Sequence, residues 1–270
     1  MCVKLDYIMS TSNHPYFDGE YPLVIPHRGG LDVVPENTLE ALDYCDKNKF
    51  THFETDLRKS KDDVIFLHHD PTLERTTNFE GKVKDYSWKD LLKINAGQQF
   101  YERKKIKQKR TDFISLEDAL FKFSNMKFNL DLKEEGMSKK VLEIVLDCKA
   151  SERILVSSFS PKRLRHFQTL NKYNIATSGS IKENVQAIFN SKLFNLWSLK
   201  VEALQIPIKW KGVNILTKRL VDYAHSKNMD VHVWTINDSK SLKDCLLLGC
   251  DGIMTDRPVE IRELVRETYG

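Results

Sequence analysis

From Leu116 to Tyr269 the chain keeps one rhythm, in which short apolar-rich runs alternate with stretches whose apolar residues recur at helical spacing. Helices are predicted over Leu116–Phe123, Ser138–Lys149, Pro161–Leu170, Lys182–Phe194, Thr217–Lys227, Asp238–Leu248 and Val259–Tyr269. Between and after them, strands are predicted over Phe128–Lys133, Ile154–Phe159, Ile175–Ser178, Ala203–Ile208, Val231–Ile236 and Ile253–Thr255. Two strands come earlier, Leu23–Ile25 and Thr51–Leu57, and a helix beginning near Leu39 follows the first, with Asn37 or Thr38 near its cap. Strand-then-helix alternation implies a parallel sheet, because antiparallel neighbours need no crossover helix. About eight such units imply closure into an α/β TIM barrel, (β/α)8. An open doubly wound sheet is the runner-up; no Gly-x-Gly-x-x-Gly follows the first strand, which counts against it. The 270 residues suit one barrel.

Two stretches depart from the rhythm. After Thr51–Leu57, Lys61-Asp62-Asp63 reads as a hairpin turn and Val64–Leu67 as its partner strand. Pro71 ends that strand, since it cannot donate a ladder hydrogen bond. Residues 72 to about 112 are then polar and aperiodic and read as an insertion. Their basic run, Arg103 to Arg110, reads first as solvated surface, with a phosphate or membrane-surface role as the lesser reading. Residues 1–20 form an N-terminal extension, and 21–270 a single barrel domain. Lys4, Asp6 and Asp18 interrupt any apolar core in the extension, so it does not read as a secretory signal. No run approaches the roughly 20 apolar residues that span a bilayer. Five scattered cysteines without a Cys-x-x-Cys pair suggest free thiols in a reducing compartment. A cytoplasmic protein without a transmembrane segment is the resulting expectation. With 42 basic and 38 acidic residues, the surplus of +4 does not mark a nucleic-acid binder, though it favours anionic substrates.

In a closed barrel, catalytic groups gather at the C-terminal ends of the strands. His27 and Arg28 end the first strand, and Glu54 and Asp56 the second. His69 ends the hairpin strand, Asp131 and Lys133 the third core strand, Ser157 and Ser158 the fourth, Trp234 and Thr235 the seventh, and Thr255 and Asp256 the last. Residues two apart on a strand share a face. Glu54 and Asp56 therefore repel unless a cation or a proton lies between them. With Asp131 they offer three hard oxygen donors, which suit Mg²⁺ or Ca²⁺ and not zinc. Arg28 offers a planar fork to phosphate and Lys133 a point charge. His27 and His69 titrate near neutrality, so one can serve as base and one as acid. Taken singly, each has a plainer reading. A strand-end Glu-x-Asp is often a structural ion pair, a lone His27 a core histidine, and Trp234 more often core than a substrate contact. His52 and His68 read as structural, His225 as helix surface and His232 as strand packing. The joint pattern is what phosphate-ester chemistry on a metal requires.

That pattern resembles the glycerophosphodiester phosphodiesterase family, within the superfamily of phosphodiesterases like phosphatidylinositol-specific phospholipase C. The shared motifs are His27-Arg28-Gly29-Gly30, Pro35-Glu36-Asn37-Thr38, Glu54-x-Asp56, Val64 through His69-Asp70, Leu73-x-Arg75-Thr76-Thr77, Gly81-x-Val83, Asn129 to Lys133, Ser158-Phe159, Trp234-Thr235-x-Asn237, and Asp251-Gly252-Ile253-x-Thr255-Asp256-Arg257-Pro258. The resemblance implies a TIM barrel with a small insertion after His69. It implies metal-dependent hydrolysis of glycerophosphodiesters to sn-glycerol 3-phosphate and an alcohol, with His27 and His69 as the acid/base pair. Glu54, Asp56 and Asp131 would ligate Mg²⁺ or Ca²⁺, with Asp131 standing where many members have glutamate. Arg28, Lys133 and Trp234 would contact substrate. Two rivals share these residues: a phospholipase D-type activity on lysophospholipids or sphingomyelin, and a silent phosphoester-binding barrel. The first needs an apolar groove, for which Phe79, Trp88 and Phe100 of the insertion are candidates; those aromatics could equally form the insertion's own small core. Oligomeric state is not legible.

Overall fold

The structure, a computed structural model, describes residues 12–193 and 196–269. Residues 1–11 of the extension, and Phe194 at the end of a predicted helix, lie outside the described residues. In chain order the elements are β1 (Leu23–Pro26), α1 (Leu39–Lys47), β2 (His52–Lys59), β3 (Ile65–Leu67), α2 (Trp88–Leu91), α3 (Gln98–Lys104), α4 (Leu116–Lys122), β4 (Lys127–Leu132), α5 (Ser138–Asp147), β5 (Ile154–Ser157), α6 (Pro161–Leu170), β6 (Ala176–Thr177), α7 (Ile181–Lys192), β7 (Ala203–Pro207), β8 (Lys209–Trp210), β9 (Val213–Asn214), α8 (Lys218–His225), β10 (Asp230–Trp234), α9 (Ser239–Leu248), β11 (Gly252–Thr255) and α10 (Pro258–Tyr269).

Eight of these strands make a ring. β2, β4, β5 and β6 pair in parallel, as do β7, β10, β11 and β1. Parallel bridges His27–Glu54 and Ser178–Ala203 join the two arcs at both seams. The fold is a TIM barrel, with β3 added antiparallel to β2. Several strands stop short of their predicted ends: β4 at Leu132, β5 at Ser157 and β10 at Trp234. Residues past those points still look strand-like in composition, but at the mouth they leave the ladder for other partners, as when Ser158 Oγ donates to the Leu132 carbonyl.

Alternation along the strands decides what faces where. Phe53 and Leu57 of β2, with Phe128, Leu130 and Leu132 of β4, pack outward against α1, α4 and α5. The residues between them, Glu54, Asp56, Asn129 and Asp131, therefore point into the barrel. A second apolar layer joins β7, β10 and β11 to α8, α9 and α10 through Leu204, Leu220, Val233, Leu246 and Ile261. The helix starts carry local signals. Thr38, Ser115, Ser160, Ser180, Thr217 and Asp238 each accept a backbone N–H of the first turn with their side chains; each cap is worth about 1 kcal/mol. Of the two candidates before α1, Thr38 is the cap.

Tyr16 and Phe17, fully buried, fill the N-terminal end of the barrel against Leu155, Ala176 and Ala203. The Lys127 ammonium holds that plug through the carbonyls of Pro15 (2.5 Å) and Asp18 (2.6 Å). Between β3 and α4, Leu73, Val83, Leu91, Ile94 and Ala96 form a separate cluster against Phe66 and Phe113, with Trp88 beside it. His232 is buried within its strand, as predicted. His225 departs from the surface reading: its Nε2 lies 2.8 Å from the fully buried carboxylate of Asp251. It sits in the last turn of α8, which tips onto the strand ends, and helical periodicity alone does not register that contact. The four described cysteines are free thiols. Among the described residues no helix is long and apolar enough to cross a membrane.

Candidate active site

One cavity of about 420 Å³ opens at the C-terminal ends of the strands, and His27, Arg28, Glu54, Asp56, His69, Asp131, Lys133 and Trp234 all line it. Its floor and its wall differ. The floor, from β1, β2 and β4, is charged; the wall, from α7, β7, β8 and β10, is largely apolar.

The turn after β1 places the first group. Arg28, Gly29 and Gly30 all have positive φ (52°, 91° and 103°), and a Cβ on Gly29 would lie 2.5 Å from that of Ala41. Only glycine fits there, so the chain folds back sharply and leaves His27 at the mouth. His27 Nδ1 lies 2.7 Å from Asp256 Oδ1. A carboxylate only accepts, so Nδ1 carries the proton and Nε2 turns toward Glu54, 3.9 Å away. Burial opposes charge on His27, but the Asp256 hydrogen bond and the Glu54 charge outweigh it and raise its pKa. Asn237 in turn fixes Asp256, donating to Oδ2 at 2.6 Å and accepting from the Asp256 N–H at 2.9 Å.

His69 follows the same plan from another loop, with Nδ1 2.6 Å from Asp70 Oδ1. Burial lowers its pKa, although the charge of Asp56 pulls the other way. From Asp70 a chain of ion pairs runs across the floor. Arg75 joins Asp70 to Glu36, and Glu36 meets Arg28 at 3.0 Å. Arg28 Nε lies 3.1 Å from Asp56, whose other oxygen is 2.8 Å from Lys133 Nζ; that ammonium is 2.5 Å from Asp131. Both cations assigned to phosphate from the sequence are thus held by carboxylates. Against the cost of burial, Arg28 and Lys133 keep Asp56 well below the usual carboxylate range. Glu54 is the exception: burial and then the Asp56 charge push its pKa up.

Among the described residues no group of three or more His, Cys, Asp or Glu side chains is gathered to hold a metal ion. Lys133 stands between Asp56 and Asp131 instead. The donor set nonetheless fits a hard cation. Asp131 Oδ1 is buried with no hydrogen-bond partner, and Glu54 is a carboxylate whose ionisation a nearby cation would favour. Three more buried side-chain oxygens without hydrogen-bond partners belong to cavity residues: Asn129 Oδ1, Ser178 Oγ and Asn184 Oδ1. Unpaired buried acceptors are costly, and donor groups of a bound polar molecule relieve that cost.

Trp234 packs against the cluster of Tyr21, Leu23, Ile25 and Met254 and meets Phe159 edge-on at 5.6 Å, so it is core and cavity wall at once. Phe159 also lies under Lys133, 5.4 Å from Nζ. None of Phe79, Trp88 and Phe100 lines the cavity. Trp88 packs on the insertion's cluster, Phe100 is buried against Tyr101, and Phe79 is exposed elsewhere. The apolar wall comes from Ile181, Val185 and Ile188 of α7, Ile206 and Pro207 of β7, and Trp210. His52 and His68 bond to backbone carbonyls, as structural histidines do.

Sequence reading left Asp256, Asn237, Asp70, Glu36 and Arg75 without roles, although each stands in a quoted motif. The signal was adjacency to the strand ends; the contacts themselves span up to 229 positions.

A family model described as the glycerophosphoryl diester phosphodiesterase family matches residues 27–260. The chain is 30% identical over 254 residues to the glycerophosphodiester phosphodiesterase of Bacillus altitudinis, covering 89% of this chain and 98% of that one. It is 27% identical over 251 residues to a probable glycerophosphodiester phosphodiesterase 2 of Mycobacterium tuberculosis, covering 90% of each. In fold it matches an Oleispira antarctica phosphodiesterase solved in complex with the product sn-glycerol-3-phosphate, with a TM-score of 0.73, 22% identity, and coverage of 91% of this chain and 97% of the other.

Proposed function

The chain belongs to the glycerophosphoryl diester phosphodiesterase family and is a phosphoric diester hydrolase, and we propose that it cleaves glycerophosphodiesters to sn-glycerol 3-phosphate and an alcohol by histidine acid/base catalysis. The observation that carries this reading is the pair of cavity histidines, each tied through Nδ1 to a carboxylate and so each left with Nε2 to exchange a proton. The glycerol hydroxyl beside the ester attacks phosphorus as one histidine takes its proton. The bond to the leaving alcohol breaks as the other histidine protonates that oxygen. Water then opens the cyclic phosphate with the two roles exchanged. Arg28 and Lys133 offer positive charge to the phosphate oxygens, and the unpartnered acceptors of Asn129 and Asn184 suit the hydroxyls of a glycerol unit. Glu54, Asp56 and Asp131 would hold a divalent cation, Mg²⁺ or Ca²⁺. When bound, it neutralises phosphate charge and lowers the cost of the charge that develops on the reacting oxygens.

The test is release of glycerol 3-phosphate from glycerophosphocholine by the folded chain with Mg²⁺ or Ca²⁺ supplied. Release is expected; none with either metal would remove this reading. The apolar wall supports a second reading, hydrolysis of lysophospholipids, and a kcat/KM that favours lysophosphatidylcholine over glycerophosphocholine would select it.

Asp256 is a positioning residue in this scheme, since it fixes the tautomer and orientation of His27. Asp256→Asn is expected to lower kcat by about 10- to 100-fold with KM little changed, as second-layer partners of catalytic groups typically do. A loss expressed in KM alone would assign Asp256 to substrate binding instead.

A further inference from the structure

The apolar wall does not stop at the cavity. Ile181, Val185 and Phe189 lie four apart on α7, so they form one stripe, and they are 53%, 44% and 47% exposed. Beside them stands the β8–β9 hairpin. Its turn, Lys211-Gly212, has φ of 47° and 83°, and its pairing sets Trp210 directly opposite Val213 on one face. Trp210 is 52% and Val213 63% exposed. Ile181, Val185 and Trp210 also line the cavity, so this surface runs without a break into the site.

Charge says what covers it. From Lys209 to Arg219, across the hairpin and into α8, the chain has four basic residues, Lys209, Lys211, Lys218 and Arg219, and no acidic one; Lys218 pairs with Asp222 of its own helix. Lys209 and Lys211 are exposed and make no ion pair among the described residues. A second copy of the chain is a poor occupant, because a two-fold contact through this face would set like charges against each other. A Trp with flanking lysines beside exposed aliphatic side chains is the composition that seats in a lipid headgroup layer.

We propose that the rim formed by α7 and the β8–β9 hairpin docks on a bilayer carrying anionic lipids, with the barrel mouth facing the membrane. Trp210 and Val213 enter the interface while Lys209 and Lys211 meet headgroup phosphates. Docking is independent of the reaction assigned to the cavity.

The experiment is co-sedimentation of the full chain with phosphatidylcholine vesicles, with and without phosphatidylglycerol. Binding is expected only with phosphatidylglycerol, and it should weaken as salt screens the charges. Each basic residue near such a surface is worth roughly a fivefold change in partitioning. Lys209→Glu with Lys211→Glu should therefore weaken binding at least about tenfold, and Val213→Ser by a smaller factor. All three side chains concerned, Lys209, Lys211 and Val213, are exposed, so the variants should melt like the parent. A His27→Ala chain should bind vesicles like the parent, which keeps this test separate from that of the reaction. Absence of binding by the folded parent overturns the proposal, as does undiminished binding by the double variant. A concentration-dependent dimer dissolved by Val213→Glu, with no vesicle binding, overturns it too and gives the face to a second copy.

Discussion

His27→Ala and His69→Ala are each expected to lower kcat on glycerophosphocholine by about 10³-fold or more, while the thermal midpoint stays within a few degrees of the parent's. A positioned acid or base contributes about 10² to 10⁴ in rate, and each step of the proposed reaction needs one of each. Neither histidine is a keystone of the fold. Both line the cavity, and their carboxylate partners keep other contacts: Asp256 with Asn237, and Asp70 with Arg75. The chain that loses a histidine therefore keeps its floor paired. Assay of glycerol 3-phosphate release, beside a melting curve for each variant, checks the expectation. If either variant kept a tenth of the parent's rate, that histidine would be out of the acid/base scheme.

The second large effect is expected from removing the cation. Treatment with a chelator should reduce turnover by about 10³-fold, and Mg²⁺ or Ca²⁺ should restore it. The reason is electrostatic. Two unit charges 4 Å apart interact by about 4 kcal/mol at an effective dielectric of about 20, equivalent to roughly a thousandfold. Among the described residues Glu54 has no lysine or arginine paired with it, only His27 Nε2 at 3.9 Å, whereas Arg28 and Lys133 are occupied by Asp56, Glu36 and Asp131. A phosphodiester anion entering that floor meets uncompensated negative charge unless a cation comes with it. Glu54→Gln replaces a charged ligand with a weaker, neutral one, so it should raise the metal concentration needed for half-maximal rate as well as lower the rate itself. Full activity in chelator, on protein shown by elemental analysis to be metal-free, would falsify the metal reading.

Much of this molecule is written in short-range pattern. Strand and helix alternate with periods of two and 3.6 residues, and capping residues such as Ser115, Ser160 and Thr217 stand directly before the first helical residue. These signals depend on neighbours a few positions apart, so one chain displays them. The strand-end placement of His27, Asp131 and Lys133 followed from the same alternation, while Glu54 and Asp56 stand inside β2, which runs past the predicted Leu57 to Lys59. The alternation also set Phe53 and Phe128 outward and Glu54 and Asp131 inward.

Other features depend on groups far apart in the chain, and there local pattern is silent. The hydrogen bond from His27 to Asp256 closes over 229 positions and exists only because β11 returns beside β1. His225 reads as surface by helical spacing, yet it meets the buried Asp251 across a loop that the ring of strands brings to it. Of the insertion's aromatics that were candidates for an apolar groove, Trp88 packs on the insertion's own cluster, Phe100 packs on Tyr101 and Phe79 is exposed away from the cavity. Ile206 and Pro207 of the ring strand β7 and Trp210 of β8 supply part of the wall instead. Which apolar side chain faces which cavity is a matter of packing between elements, and composition is blind to it. The sequence by itself determined the succession of the eight ring strands and the helices between them, though not α2, α3 or the β8–β9 hairpin, and which charged residues stand toward the mouth. Tertiary structure alone decided which partners hold those residues and what the rest of the mouth is made of, because closing the barrel juxtaposes groups that no local periodicity relates.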